Sequence, residues 1–105
     1  MDAQLKRGLL DVSVLAVLRK SESYGYKIVK DISPYIEMSE STLYPVLKRL
    51  EAGGFVDVYS IEHNGRLRRY YRLNDPGRNK ILEFLNEWKD IMQIYNFING
   101  EMNYE

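Results

Sequence analysis

The chain has 105 residues, no cysteine, and 15 basic against 15 acidic side chains, for a formal net charge of zero. That size allows one small domain with a modest core, and the lack of cysteine excludes disulfides, thiolate metal sites and thiol nucleophiles. With 45% hydrophobic and 29% charged residues, no membrane-length apolar run and no signal-peptide pattern, the composition predicts a folded cytoplasmic protein with no membrane contact. The charge is unevenly spread. From His63 to Lys80 there are six Arg/Lys against the single Asp75, and from Ile81 onward five carboxylates stand against Lys89. Such a split predicts an oriented surface rather than a uniformly basic nucleic-acid binder.

Residues 1–20 carry Leu5, Leu9, Leu10, Val12, Val14, Leu15, Val17 and Leu18, apolar on more than one face when wound as a helix. A surface helix of a small domain needs one apolar stripe. Two stripes point to a second partner surface in preference to complete burial, because little chain is left to cover them. Ser21-Glu22-Ser23 is a polar break with capping hydroxyls, and a helix over 24–32 follows, with Tyr24, Ile28 and Ile32 at fourfold spacing. Gly25 inside it costs ~1 kcal/mol relative to alanine and implies a close approach by another element. Ser33-Pro34 ends that helix.

Ser39 to Val56 is the stretch around which the rest is organised. Ser39 or Ser41 can cap a helix whose apolar stripe is Leu43, Val46, Leu47 and Leu50, and Gly53-Gly54 supplies its left-handed stop. Its other face presents Ser41, Tyr44, Pro45, Lys48 and Ala52, small, hydroxylated or cationic and without a carboxylate. That chemistry suits phosphates and base edges, although a plain solvated face has the same pattern. Pro45 requires either a later helix start or an irregular first turn. Two short helices joined by a tight linker form a helix-turn-helix.

Asn64-Gly65 between strand-like runs is a type I′ hairpin signal. Folding about it pairs Val56 with Leu73, Asp57 with Arg72, Val58 with Tyr71 and Tyr59 with Tyr70. Val56, Val58, Tyr71 and Leu73 then face inward, and Asp57/Arg72 and Tyr59/Tyr70 face outward. His63, Arg66, Arg68 and Arg69 fall at or near the tip, as in the wing of a winged helix, where arginine holds phosphate or enters a minor groove. Asn74 or Asp75 caps a last helix with Pro76 in its first turn. Ile81, Phe84, Trp88, Ile91, Tyr95, Ile98 and Met102 then follow a 3-4 spacing, with Leu85 and Met92 beside them. The expected fold is mainly α (α+β), a winged helix-turn-helix over 1–75 with a two-stranded wing, and a long dimerisation helix over 76–105. A second copy is the expected cover for that stripe, through Leu5, Leu9, Ile81, Phe84, Leu85, Trp88, Ile91, Met92 and Tyr95.

The segments YGYKIVKDI, TLYPVLKRLEAGGFV and GRLRRYYRL, with Gly77 after them, resemble the PadR-type transcriptional regulators, over roughly Gly8 to Trp88. The tyrosine-proline pair inside the helix is the specific part. Leu67 stands where a proline often follows the glycine-arginine of the wing, and Asn74-Asp75-Pro76 replaces a threonine-led helix start; both departures bear on the wing tip, not the fold. The chain is similar to the compact subgroup with a single C-terminal helix. The resemblance implies a homodimeric, mostly repressing regulator of transcription that binds double-stranded DNA. It places DNA contacts at Ser41, Thr42, Tyr44, Pro45 and Lys48 and at Arg66 and Arg68 of the wing. Where a small hydrophobic or aromatic effector exists, Phe84, Trp88 and Tyr95 between the subunits are the expected seat, unless they simply fill a tight dimer core. No cofactor or metal is expected: the one histidine, His63, lies at a hairpin tip and the carboxylates lack metal-ligand spacing. Neither an enzyme nor a metal site follows from these residues. A winged helix that binds protein instead of DNA is the remaining alternative, given Glu40, Glu51 and Glu62 near the proposed face.

Overall fold

A computed structural model describes residues 1–101. The elements run α1 (Ala3–Val17), β1 (Ser23–Tyr24), α2 (Gly25–Ile32), α3 (Glu40–Ala52), β2 (Val56–His63), β3 (Arg66–Leu73) and α4 (Asp75–Ile98). Helix α1 touches α2, α3 and α4, and α2 crosses α3. One core joins Leu10, Val14, Leu15 and Leu18 to Ile28 and Ile32 of α2 and Leu43, Val46, Leu47 and Leu50 of α3. Val56, Tyr71, Leu73 and Ile81 close it. The predicted stripe on α3 is therefore buried, as are Ile28 and Ile32 of the stripe on α2, whereas Tyr24 is half-buried and lies outside that helix.

The sheet has three strands in the order β1-β3-β2: the expected two-stranded wing of β2 and β3, with the short β1 added beside it. Ser23 and Tyr24 pair with Tyr71 and Tyr70, occupying an edge of β3 that would otherwise leave its backbone groups open. Tyr24 is extended and takes the N-cap position of α2 without a side-chain cap bond, and Ser23, expected among the caps, is buried in the sheet. Two residues of strand carry no periodicity by which to recognise them.

Ser39 caps α3, its Oγ accepting from the Thr42 N–H and lying 2.9 Å from Ser41 Oγ. The helix begins at Glu40 and runs unbroken through Pro45, so neither a late start nor a broken first turn is needed. Pro45 lacks the N–H that would bond the Ser41 carbonyl; both residues lie on the exposed side of the helix, so that carbonyl is not shut into the core. The far end closes as a Schellman motif: Phe55 N–H donates to Leu50 O and Gly54 N–H to Glu51 O, with Gly54 at φ 77°. Asn64 and Gly65 both have positive φ, as a type I′ turn requires, and all four expected cross-strand pairs are present.

Asn74 fastens the start of α4. Its Oδ1 accepts from Gly77 N–H, while its Nδ2 donates to the Gly54 carbonyl and to Asp57 Oδ1. Gly77 is there because a Cβ would stand 2.2 Å from the Phe55 carbonyl oxygen. This close approach brings Ile81 into the core at 3% exposure, so the residue expected at a subunit interface is enclosed by its own chain. Met102, the end of the predicted stripe, lies outside the described residues. Helix α1 divides its apolar side chains as expected: Leu10, Val14 and Leu15 are buried, Leu9 is half-buried and Leu5 is exposed.

Candidate nucleic-acid interface

Ser41, Tyr44, Pro45, Lys48 and Ala52 are all exposed along one side of α3, and Thr42 is exposed beside them. The strip follows from the sequence, since the intervening Leu43, Val46, Leu47 and Leu50 are drawn into the core. The hydroxyls of Ser41 and Thr42 sit 2.9 and 3.1 Å from Ser39 Oγ, which orients them along the first turn. Tyr44 lies across the start of α2, where a Cβ on Gly25 would come within 2.9 Å of the Tyr44 hydroxyl. The close approach expected at Gly25 is thus made by a side chain of α3. At the other end, the Arg49 guanidinium pairs with Asp11 and ties α3 to α1.

The wing approaches this strip through β3. Alternation sends Arg66, Arg68, Tyr70 and Arg72 to one face, and Leu67, Arg69, Tyr71 and Leu73 to the other. Arg66 is exposed at the tip beside the turn. Arg68 is half-buried: its guanidinium lies 4.0 Å from the centroid of the Tyr24 ring and its Nη1 is 3.4 Å from the Tyr70 hydroxyl. Tyr70 in turn stacks on Tyr59 and meets Tyr24 edge-on, and Arg72 lies over Tyr59. The outward face of the hairpin is therefore a partly covered tyrosine–arginine layer rather than open surface. The Glu22 carboxylate beside the Tyr59 hydroxyl, together with its loss of water, pushes that phenol up to about 12. On the opposite face Arg69 Nη2 reaches both carboxylate oxygens of Glu51, at 2.8 Å each. A cleft of about 430 Å³ separates the start of α2 from α3 and the wing, lined by Tyr26, Glu40, Tyr44, Arg68 and Arg69 among others.

Helix α4 leaves this assembly after its first turns. Phe84 and Trp88 are half-buried and stack on each other at 5.7 Å, near α1. Leu85, Ile91, Met92 and Tyr95 are exposed, and so are Ile94 and Ile98. At ~1.5 Å per residue the 24-residue helix is about 36 Å long. It stretches the molecule to 65 Å along one axis. Among the described residues, no helix is long and apolar enough to cross a membrane, and no cluster of His, Asp and Glu is placed to hold a metal ion.

The model of the transcriptional regulator PadR-like family matches residues 14–83, two-thirds of the chain. The protein is a member of that family. Curated relatives include an uncharacterised protein of Lysinibacillus sphaericus, 32% identical over 90% of this chain and 92% of its own. A transcriptional regulator of Mycobacterium tuberculosis is 31% identical over 76% of each chain. Among solved structures, a Streptococcus mutans protein superposes with TM-score 0.78 at 37% identity over 94% of both chains. Bacillus subtilis PadR, solved in complex with operator DNA, superposes with TM-score 0.66 at 28% identity, over 72% of this chain and 46% of its own. The PadR-like family consists of transcriptional regulators, which are DNA-binding proteins without enzymatic activity.

Within this PadR-like chain, sequence reasoning missed three contacts around the strip: Glu51 with Arg69, Asp11 with Arg49, and Tyr24 under Arg68. The first was within reach. The Asn-Gly register places Arg69 on the same face as Tyr71, toward α3, and α3 ends with a carboxylate. The other two join residues far apart in the chain without any local signal.

Proposed function

We propose that this PadR-like chain is a sequence-specific DNA-binding repressor that works as a homodimer on an inverted repeat. Residues 1–75 are the DNA-binding unit and residues 76–105 supply the dimerisation helix, whose first turns stay with the DNA-binding unit. The observation that carries the reading is the exposed strip of α3, Ser41, Thr42, Tyr44, Pro45 and Lys48, free of carboxylates and set beside a wing with Arg66 and Arg68. The operator complex of the Bacillus subtilis relative supports it. In the bound state α3 lies in a major groove and the wing follows the backbone; two copies then set half-sites about one helical turn apart, or a small multiple of it.

Footprinting on the DNA upstream of its own gene supplies the duplex for the test. Tyr44→Ala and Lys48→Ala should weaken specific binding more than non-specific binding, whereas Arg66→Ala should weaken both and flatten the salt slope by about one phosphate contact. Isotherms unchanged in all three variants would move the interface to another surface. The second subunit is the natural cover for Leu5, Leu9, Leu85, Ile91, Met92 and Tyr95, all exposed or half-buried in the single chain. Relief of repression by a flat hydrophobic effector extends the same reading: the stacked Phe84–Trp88 pair and exposed Tyr95 offer it aromatic surface at the subunit junction. Trp88 fluorescence during titration with planar aromatic compounds, followed together with DNA affinity, tests that part. Quenching without a change in affinity would leave a pocket and no switch.

A further inference from the structure

Glu51 lies on the last turn of α3, bordering the strip that faces DNA in the proposed reading, where a bare carboxylate would repel phosphate. It is not bare. Arg69 of the wing reaches both of its oxygens from one nitrogen at 2.8 Å, and its guanidinium lies 6.0 Å from the centroid of the Tyr71 ring. Tyr71 is itself buried, so its ring limits where the arginine stem can swing. Beyond this contact the hairpin stands clear: Ile61, Glu62, His63, Asn64, Gly65, Arg66 and Leu67 are all exposed. The wing is thus held at its base and free at its tip. Arg68, the neighbouring residue, braces the opposite face of the same strand on Tyr24, the residue that caps α2. Consecutive arginines therefore fasten β3 to both helices of the helix-turn-helix.

We propose that Glu51 is a positioning residue: with Arg69 it clamps the wing to the recognition helix, so that Arg66 is presented at a fixed distance from the α3 strip. The clamp makes no contact with DNA. It acts by narrowing the range of wing angles before binding, which lowers the ordering needed when both surfaces engage one duplex. This inference rests on the DNA-binding reading for its effect on affinity, but the clamp itself is a property of the free protein.

The two parts separate experimentally, and the cysteine-free chain makes the first measurement simple. Spin labels on Lys48→Cys and Glu62→Cys, both exposed, report the distance from α3 to the wing in the absence of DNA. Adding Glu51→Gln should broaden that distribution while the melting temperature and sedimentation coefficient stay unchanged. On DNA, electrostatics and positioning act on different quantities. Removing a carboxylate beside the interface should raise specific and non-specific affinity alike and leave their ratio unchanged. Loss of the clamp should lower the ratio of specific to non-specific affinity, by about fivefold for an ion pair of this exposure. The charge-swapped pair Glu51→Arg with Arg69→Glu should restore most of that ratio. An unbroadened distance distribution, or a ratio equal to the parent's, overturns the clamp. A parent protein that binds no duplex, together with a broadened distribution in Glu51→Gln, would retire the DNA reading and leave the clamp standing.

Discussion

In the first turns of α4, Gly77 presses against the Phe55 carbonyl and Ile81 is almost wholly enclosed; in its last turns, Ile94 is 58% and Ile98 76% exposed. The residue types are the same and the helix is unbroken. What differs is the chain opposite. The first turns pack on α1 and against Phe55 and Leu73, whereas the last turns run past the end of the domain. An apolar stripe states that something must cover it and leaves open what does. In a PadR-like chain of this size the first turns of α4, through Ile81, complete the monomer's own core, and its later apolar side chains stay exposed in the single chain.

Ile81→Ala breaks this contrast from the inside and carries the largest expected effect. Truncating an enclosed isoleucine costs about 2–5 kcal/mol, a large share of the stability of a small domain. Thermal unfolding should shift strongly downward for Ile81→Ala and little for Ile94→Ala. Similar shifts for the two would mean that both halves are equally covered in solution.

The helical stripes, the hairpin register and the capped start of α4 could be read directly from residues, because each is a local pattern of spacing, turn chemistry or capping. The core face of α3 and its exposed strip followed from one 3.6-residue period. Ile81 could not be sorted from Ile91 by that period, since both occupy the same stripe; only the close approach at Gly77 separates them. Ser23–Tyr24 is too short to show alternation, and nothing in sequence places Tyr24 beside Arg68. The missing parts are contacts between segments far apart in the chain, where local rules carry no information.

The smallest expected effect concerns the tyrosine layer of the wing. Tyr59 titrates near 10 when unfolded and at about 12 when folded, so the folded state holds its proton longer. Its contribution is therefore complete below pH 10 and is lost as pH rises from 10 toward 12. Tyr59→Phe should make the alkaline fall in stability shallower over that window without abolishing it, because burial also raises Tyr71. Urea unfolding at pH 9 and at pH 11 measures the difference. An identical fall in both proteins would show that the wing's outer face is solvated like open surface.

The account turns on whether the outer half of α4 joins two copies that bind DNA together. Ile91→Asp with Tyr95→Asp alters two side chains that are exposed in the single chain, leaving the core untouched. Each buried apolar side chain contributes ~1.5–3 kcal/mol, so the loss of two, about 3–6 kcal/mol, should lower dimer association at least about a hundredfold. Sedimentation velocity with a labelled inverted-repeat duplex reads oligomeric state and stoichiometry in one measurement. The account predicts two parent chains per duplex, and a double variant that melts as the parent does, sediments as a monomer and has lost most of its operator affinity. A double variant that remains dimeric, or a monomer that binds the operator as tightly as the parent, would contradict it.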